Sequence, residues 1–124
     1  MSIQRQHTNA RMSQIVVHQN TLYLAGQVAA DEDLDKDAGE QTRSTLSEIE
    51  KLLAQAGSDK TQILSVTIYL KDIDADFAAM NRVWDQWLPM GSAPARATVE
   101  AKLCEPEILV EMSVIAAIPQ GPAV

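Results

Sequence analysis

Cysteine, aromatic residues and basic side chains are all scarce in this chain of 124 residues, and each shortage excludes a class of site or partner. The single cysteine, Cys104, excludes an internal disulfide and a multi-cysteine metal site. Aromatic residues make up 4% of the chain, too few for a surface that stacks successive RNA bases. The formal net charge of −7 disfavours a protein that follows a nucleic-acid backbone.

Long apolar runs are also missing. No run approaches the roughly 20 residues that span a bilayer, and the opening segment MSIQRQHTNA lacks the apolar core of a signal peptide. We therefore expect a cytoplasmic protein with no membrane partner. The hydrophobic content of 46% is that of an ordinary globular protein, and we predict a single domain over residues 1–124.

Apolar residues recur with strand and helix periods along most of the chain. Residues 64–70 alternate between apolar and polar, as in a half-buried strand. Leu46, Ile49 and Leu53 lie on one helical stripe. The complete prediction is strands at about 15–17, 22–24, 64–70, 96–101 and 108–118, and helices at about 38–56 and from near Asp74, the predicted N-cap, to Pro89.

The order of these elements is β-β-α-β-α-β-β, and each helix connects two strands. We therefore predict an α+β fold, a two-layer sandwich of a mixed sheet with both helices on one face. The last strand is apolar on both sides, which indicates burial on both faces. Its two sides are Val110, Met112, Val114 and Ala116, and Leu109, Ser113 and Ile115. Because the helices can cover only one face, we predict an oligomer that buries the other.

Two charges lie in apolar surroundings near the end of the chain. Arg96 begins one predicted strand, and Glu111 lies within the apolar run of the next. A charge in such a run is costly unless it is paired or used. If the strands are neighbours, the two charges could hold a small anionic substrate and a water. The simpler interpretation is an exposed arginine, or an ion pair between Arg96 and Glu111.

Four segments resemble the Rid (reactive intermediate deaminase) family, also called YjgF, in an arginine-retaining branch. The resemblance covers roughly Asn9 to Ile118. It is carried by Ala25-Gly26-Gln27-Val28, by residues 77–81 (FAAMN), by residues 94–99 (PARATV) and by residues 110–117 (VEMSVIAA).

The resemblance implies a chorismate-mutase-like fold and a homotrimer with clefts between subunits. It also implies the hydrolysis of enamines and imines such as 2-aminoacrylate to 2-keto acids and ammonia, as in a 2-iminobutanoate/2-iminopropanoate deaminase. The partner is then a small carboxylate substrate, an imine or a 2-keto acid. Neither a cofactor nor a metal is implied, and the two histidines show no ligand spacing with acids or cysteine.

The same resemblance assigns roles to five residues. Arg96 would grip the substrate carboxylate with its planar fork, and Glu111 would orient or deprotonate the attacking water. Gly26 would let the backbone approach the ligand, or would simply end a strand. Asn81 would brace the cleft, or would be an ordinary surface amide. Thr98 would offer its hydroxyl or backbone to the carboxylate, or would only pack in its strand.

Three positions depart from the family pattern. Met12 occupies a region where many members have an aromatic residue, Ala25 replaces a frequent serine, and Thr98 replaces a frequent cysteine. These departures leave open a non-catalytic carboxylate-binding or regulatory module on the same trimeric fold. Endoribonuclease, a name often given to relatives, ranks lower because the chain shows no basic track or nucleophile–base pair. Chorismate mutase also ranks low, because one arginine is few for a dicarboxylate.

The remaining distinctive residues favour ordinary structural roles. Phe77, Trp84 and Trp87 follow helical spacing and are predicted to lie in the core. Cys104 has no evident base nearby and is interpreted as an inert thiol. The acidic stretch 31–37 is predicted to be a solvated loop without the pattern of a calcium site.

Overall fold

The computed structural model describes residues 2–119, so the outermost residues of the predicted 1–124 domain lie outside it. A six-stranded sheet is covered on one face by two helices, which confirms the predicted α+β two-layer arrangement. The strands are β1 (Gln4–Thr8), β2 (Ser13–His18), β3 (Thr21–Leu24), β4 (Ile63–Leu70), β5 (Ala95–Glu100) and β6 (Val110–Ala117), and the helices are α1 (Ala38–Gln55) and α2 (Ile73–Trp87). Over residues 2–119, neither helix is long and apolar enough to cross a membrane.

The sheet order is β1-β2-β3-β6-β4-β5. Of the six described strands, only β4 and β5 pair in parallel, because α2 connects them as a crossover. The last strand, β6, does not lie beside β5. It inserts between β3 and β4 and pairs antiparallel with both. This insertion determines where Arg96 and Glu111 lie in the sheet.

The first strand, β1, was not predicted. Its sequence QRQHT contains no apolar residue, so it has none of the alternation by which strands are recognised. It forms because β2 offers a free edge: Gln4 pairs with Val17 and Gln6 with Ile15. Backbone hydrogen bonding therefore places β1, and its side chains are almost all exposed.

The helix ends follow local capping. The Asp37 carboxylate accepts from the Glu40 N–H at the start of α1, and Gly57 follows the helix with φ +82°, as predicted for a C-terminal glycine. The predicted N-cap of α2 at Asp74 is wrong by two residues. Asp72 is the cap, because its carboxylate accepts the Ala75 N–H at 3.0 Å.

The core lies between the helices and one face of the sheet. On β6 it takes Val110, Met112, Val114 and Ala116, all buried, as the predicted alternation requires. The alternate residues of β6 lie half-buried on the helix-free face. That face also carries Tyr23 and Val99, each 43% exposed. The helix-free face is thus partly apolar in a single protomer, and its cover by further copies stays a prediction.

Candidate functional site

Arg96 and Glu111 do not lie on neighbouring strands, and that prediction is wrong. β4 separates them, and they belong to opposite faces of the sheet. Arg96 pairs with Val66, which is buried beneath the helices, whereas Glu111 pairs with Tyr69 on the helix-free face. The two charges are therefore not an ion pair within one protomer. Each belongs to a separate group of side chains.

The first group surrounds Arg96 on the exposed edge strand β5. Its Nη1 donates to Asn81 Oδ1 at 2.7 Å, and its guanidinium carbon lies 5.5 Å from the centre of the Trp84 ring. Among residues 2–119, no carboxylate forms a salt bridge with it. A guanidinium has five N–H donors in one plane, and Asn81 takes only one. The others can meet a planar carboxylate.

The position of Asn81 follows from how α2 lies against β5. At the start of the helix, the Ile73 N–H donates to Glu100 Oε1 at 3.1 Å, which ties α2 to the end of β5. Eight helical residues from Ile73 to Asn81 advance about 12 Å. Four strand residues from Glu100 back to Arg96 span about 13 Å. The two lengths match, so an antiparallel helix and strand bring Asn81 directly to Arg96.

Thr98 lies on the same side of β5, between Arg96 and Glu100. Its Oγ1 is buried and has no hydrogen-bond partner among the described residues. The hydroxyl thus lies inside the protein rather than facing a ligand. This burial is what ordinary packing within the strand gives, and a contact between the Thr98 backbone, on the edge strand β5, and the substrate carboxylate stays a prediction.

The second group surrounds Glu111 and depends on a β-bulge. After the Tyr23–Ile115 pair, β3 leaves the ladder and the chain returns at the Gln27–Met112 bridge. Three residues on the β3 side face two on β6, so the chain bends away locally. Gly26 is the last of these three residues and lies beside Glu111.

The Glu111 carboxylate lies where the Gly26 side chain would otherwise be. A Cβ built at position 26 would overlap Oε2 of Glu111 and would lie 3.1 Å from its Cδ. Glycine is required here for close approach, since no other residue leaves this space. Among residues 2–119, no hydrogen bond reaches the Gly26 N–H. The half-buried Glu111 carboxylate therefore lies against the Gly26 backbone.

Glu111 lines a cleft of about 340 Å³ on the helix-free face. The other lining residues are Gly26, Tyr69, Ala101, Lys102, Leu103, Cys104 and Ser113. The sequence placed Cys104 away from any base, but in the fold its exposed thiol shares this cleft with Glu111. No local sequence pattern indicates that Cys104 lies near Glu111. Its position follows from the topology, because the loop from β5 leads back to β6 in the middle of the sheet.

Buried Gln41 of α1 holds the last part of that loop. Its amide donates to Glu107 O at 2.9 Å, and its carbonyl accepts from the Leu109 N–H at 3.0 Å. The side chain is fully buried and belongs to the helix layer. The entry into β6 is therefore fixed one residue before the strand begins, which in turn fixes the register of Glu111.

The predicted aromatic core of α2 is only partly correct. Trp84 is 6% exposed and Trp87 is half-buried, but Phe77 is 42% exposed and does not belong to the core. Phe77 lies one turn before Asn81, on the part of the helix next to the Arg96 group. Sequence reasoning missed the contact of Trp84 with Arg96. Trp84 lies three residues after Asn81 and therefore on the same side of the helix, and this spacing could have indicated the contact.

Two of the three departures from the family pattern lie at the Glu111 end of the sheet. The Ala25 N–H donates to Gln14 O at 3.0 Å, so Ala25 lies within the bulge beside Gly26. Met12 immediately precedes β2 at the same end and is 36% exposed.

Within residues 2–119, no three acidic, histidine or cysteine side chains cluster closely enough to hold a metal ion.

Comparison with known proteins gives a consistent assignment. Residues 2–118 match the family described as endoribonuclease L-PSP. The RutC family protein YoaB of Escherichia coli is 48% identical over 118 residues, which are 95% of this chain and 100% of that protein. A crystal structure of a YjgF-family protein from Neisseria meningitidis is 40% identical, with a TM-score of 0.92 and 98% of both chains covered. A Rid-family protein of unknown function, YyfA from Yersinia pestis, is 30% identical, with a TM-score of 0.78 and 90% of both chains covered.

Proposed function

The chain belongs to the endoribonuclease L-PSP family, which includes the YjgF and Rid proteins, and on that premise we propose that it is an enamine/imine deaminase. Its substrates are 2-aminoacrylate-like intermediates, and its products are 2-keto acids and ammonia. The active assembly is a homotrimer in which each site lies between two protomers. One protomer supplies Arg96 and Asn81, and the next supplies Glu111 and Gly26.

The observation that carries this proposal is the separation of the two charges. Arg96 lies at the exposed edge of the sheet and Glu111 lies on its helix-free face, with β4 between them. In a closed ring, each protomer uses a different surface toward each neighbour. The edge of one protomer can then lie over the helix-free face of the next. This arrangement joins the two groups, and it covers exposed apolar residues such as Tyr23.

The chemistry needs only the substrate and water. Arg96 holds the carboxylate through paired charge-assisted hydrogen bonds. An enamine first takes a proton from solution at its terminal carbon and becomes an iminium. Glu111 then removes a proton from a water as the water oxygen bonds to the imine carbon, and the C=N electron pair moves onto nitrogen.

The carbinolamine collapses in the second half of the reaction. Its nitrogen takes the proton held by Glu111, and the C–N bond breaks with its electron pair leaving on ammonia. Loss of the hydroxyl proton gives the keto group. The imine carbon is already electrophilic, so positioning and proton transfer supply most of what the reaction requires. Gly26 permits the carboxylate to lie against the backbone, and in this proposal the Gly26 N–H hydrogen-bonds the substrate or the water.

Mixed trimers test the shared site and the activity together. Ammonia release from a freshly generated imine is measured for wild type, Arg96→Ala, Glu111→Gln and an equal mixture of the two variants refolded together. Both single variants should be nearly inactive. Every mixed ring has one interface with an intact Arg96 facing an intact Glu111, so the mixture should regain about one quarter of wild-type activity.

Static light scattering provides the control, since each preparation must have the mass of a trimer. No recovery in mixed trimers would show that both residues act within one protomer or that the site is different. A stable monomer at micromolar concentration would contradict the assembly. Keto-acid binding without ammonia release by the wild type would instead favour the non-catalytic carboxylate-binding module.

RNA should remain intact when it is incubated with the purified protein. The net charge of −7 repels a polyphosphate, and the chain offers no basic track along which RNA could bind. Gel electrophoresis of a labelled single-stranded RNA gives the measurement. Cleavage that persists through repeated purification and is lost in Arg96→Ala or Glu111→Gln would assign ribonuclease activity to this site.

A further inference from the structure

Two tryptophans in contact with each other, Trp84 and Trp87, lie between Arg96 and a second cation. The Arg96 guanidinium carbon lies 5.5 Å from the Trp84 ring centre. The Trp84 and Trp87 ring centres are 5.6 Å apart, with their planes inclined by 45°. Lys60 Nζ lies 5.4 Å from the Trp87 ring centre. A cation within about 6 Å of an indole centre is attracted by the negative ring face.

The Trp84 indole is held in place by packing, whereas the Arg96 side chain without its contacts would be mobile. Trp84 is 6% exposed and packs in the core, so its indole is fixed. Arg96 is exposed, and an exposed arginine loses considerable rotamer entropy when it is held in one conformation. Whatever holds Arg96 before a ligand arrives therefore removes part of the entropic cost of binding.

The contacts of Arg96 with Asn81 and Trp84 restrict different motions. The hydrogen bond that Arg96 Nη1 donates to Asn81 Oδ1 fixes one guanidinium nitrogen at 2.7 Å. By itself it would allow the guanidinium plane to rotate about that bond. The Trp84 indole is a second restraint on this rotation, because the guanidinium carbon lies over its ring, 5.5 Å from the ring centre. A planar fork and a planar carboxylate must be aligned for bidentate binding.

We propose that Trp84 is a positioning residue that orients the Arg96 guanidinium for the substrate carboxylate. This inference rests on the proposed function in its choice of ligand, a 2-keto or 2-imino acid. It assigns Trp84 a role beyond packing, and it predicts that the role is specific to Trp84. Trp87 packs against Trp84 with its plane inclined, but it is not the ring over which Arg96 lies. It is therefore the matched control.

The experiment compares Trp84→Phe, Trp84→Leu and Trp87→Leu with wild type. Pyruvate binding is measured by calorimetry, and kcat and KM by ammonia release, at a temperature where melting curves show every variant folded. Trp84→Leu should weaken pyruvate binding about 2- to 5-fold, as expected for loss of an exposed cation–π contact, and should raise KM more than it lowers kcat. Trp84→Phe should fall in between, and Trp87→Leu should bind as wild type.

A second readout does not depend on ligand. In the NMR spectrum, the Arg96 side-chain N–H signal should shift in Trp84→Leu because the indole ring current is lost, and it should stay in place in Trp87→Leu. Equal weakening in Trp84→Leu and Trp87→Leu, or an unmoved Arg96 signal in Trp84→Leu, would overturn the positioning role. Absence of turnover in wild type with these binding and NMR differences intact would overturn the deaminase proposal alone.

Discussion

Replacing Glu111 with glutamine should lower the rate of ammonia release by about 10²–10⁴-fold, the usual loss when a general base is removed. Glutamine keeps the length of the side chain and one acceptor oxygen but cannot take a proton from water. Pyruvate binding and the trimer should persist, because Arg96 and the apolar face are unchanged. Single-turnover kinetics with a freshly generated imine separate the chemical step from binding.

Ser113→Ala is the control for this substitution. Ser113 lies two residues further along β6 on the same face and lines the same cleft. It should keep most of the activity if the carboxylate, rather than polarity of the cleft, drives the reaction. Full activity in folded Glu111→Gln would remove Glu111 from the mechanism. Arg96 would then anchor the substrate beside a water positioned by the backbone alone.

Much of the fold could be predicted because its core elements carry strong periodic signals. The alternation in β6 divided its residues into the same two faces that the structure shows, and the stripe of α1 predicted that Leu46 and Leu53 lie together in the core. The edge strand β1 could not be found in this way, because its residues contact solvent and its only strong requirement is a backbone partner. Pattern arguments detect burial, and β1 has almost none.

The neighbours of each strand were harder to predict than the strands themselves. β5 and β6 follow one another in sequence, and consecutive strands often pair. Here β6 instead enters between β3 and β4, and this position puts every core residue of β6 beneath the helices. The sequence could identify Arg96 and Glu111 as unusual charges. It could not show that one protomer keeps them apart.

The details around each charge were least accessible to sequence reasoning. Gly26 was a weak candidate until the fold placed Glu111 in the space of its missing side chain. Asn81 was as plausible as a surface amide until the matched lengths of α2 and β5 placed it on Arg96. These are distances between elements remote in sequence, and no local periodicity encodes them.

Replacing Arg96 with alanine should reduce kcat/KM and pyruvate affinity by more than about tenfold, since each charge-assisted hydrogen bond lost is worth roughly 1.5–3 kcal/mol. Arg96→Lys should recover only part of this loss. Lysine keeps the positive charge, but its compact ammonium cannot match both carboxylate oxygens in one plane or make the same contact with the Trp84 ring.

The comparison of alanine with lysine separates geometry from charge. If a positive charge alone recruits the substrate, Arg96→Lys will bind pyruvate almost as tightly as wild type and its affinity will fall steeply with added salt. If the planar fork is what matters, both variants will be poor binders and Asn81→Ala will weaken binding in the same direction, since Asn81 holds one end of the fork. Retained pyruvate binding by Arg96→Ala in calorimetry would refute the anchor role. The carboxylate would then have to be held on the Glu111 side of the cleft, where Lys102 is the only basic residue among the described lining residues.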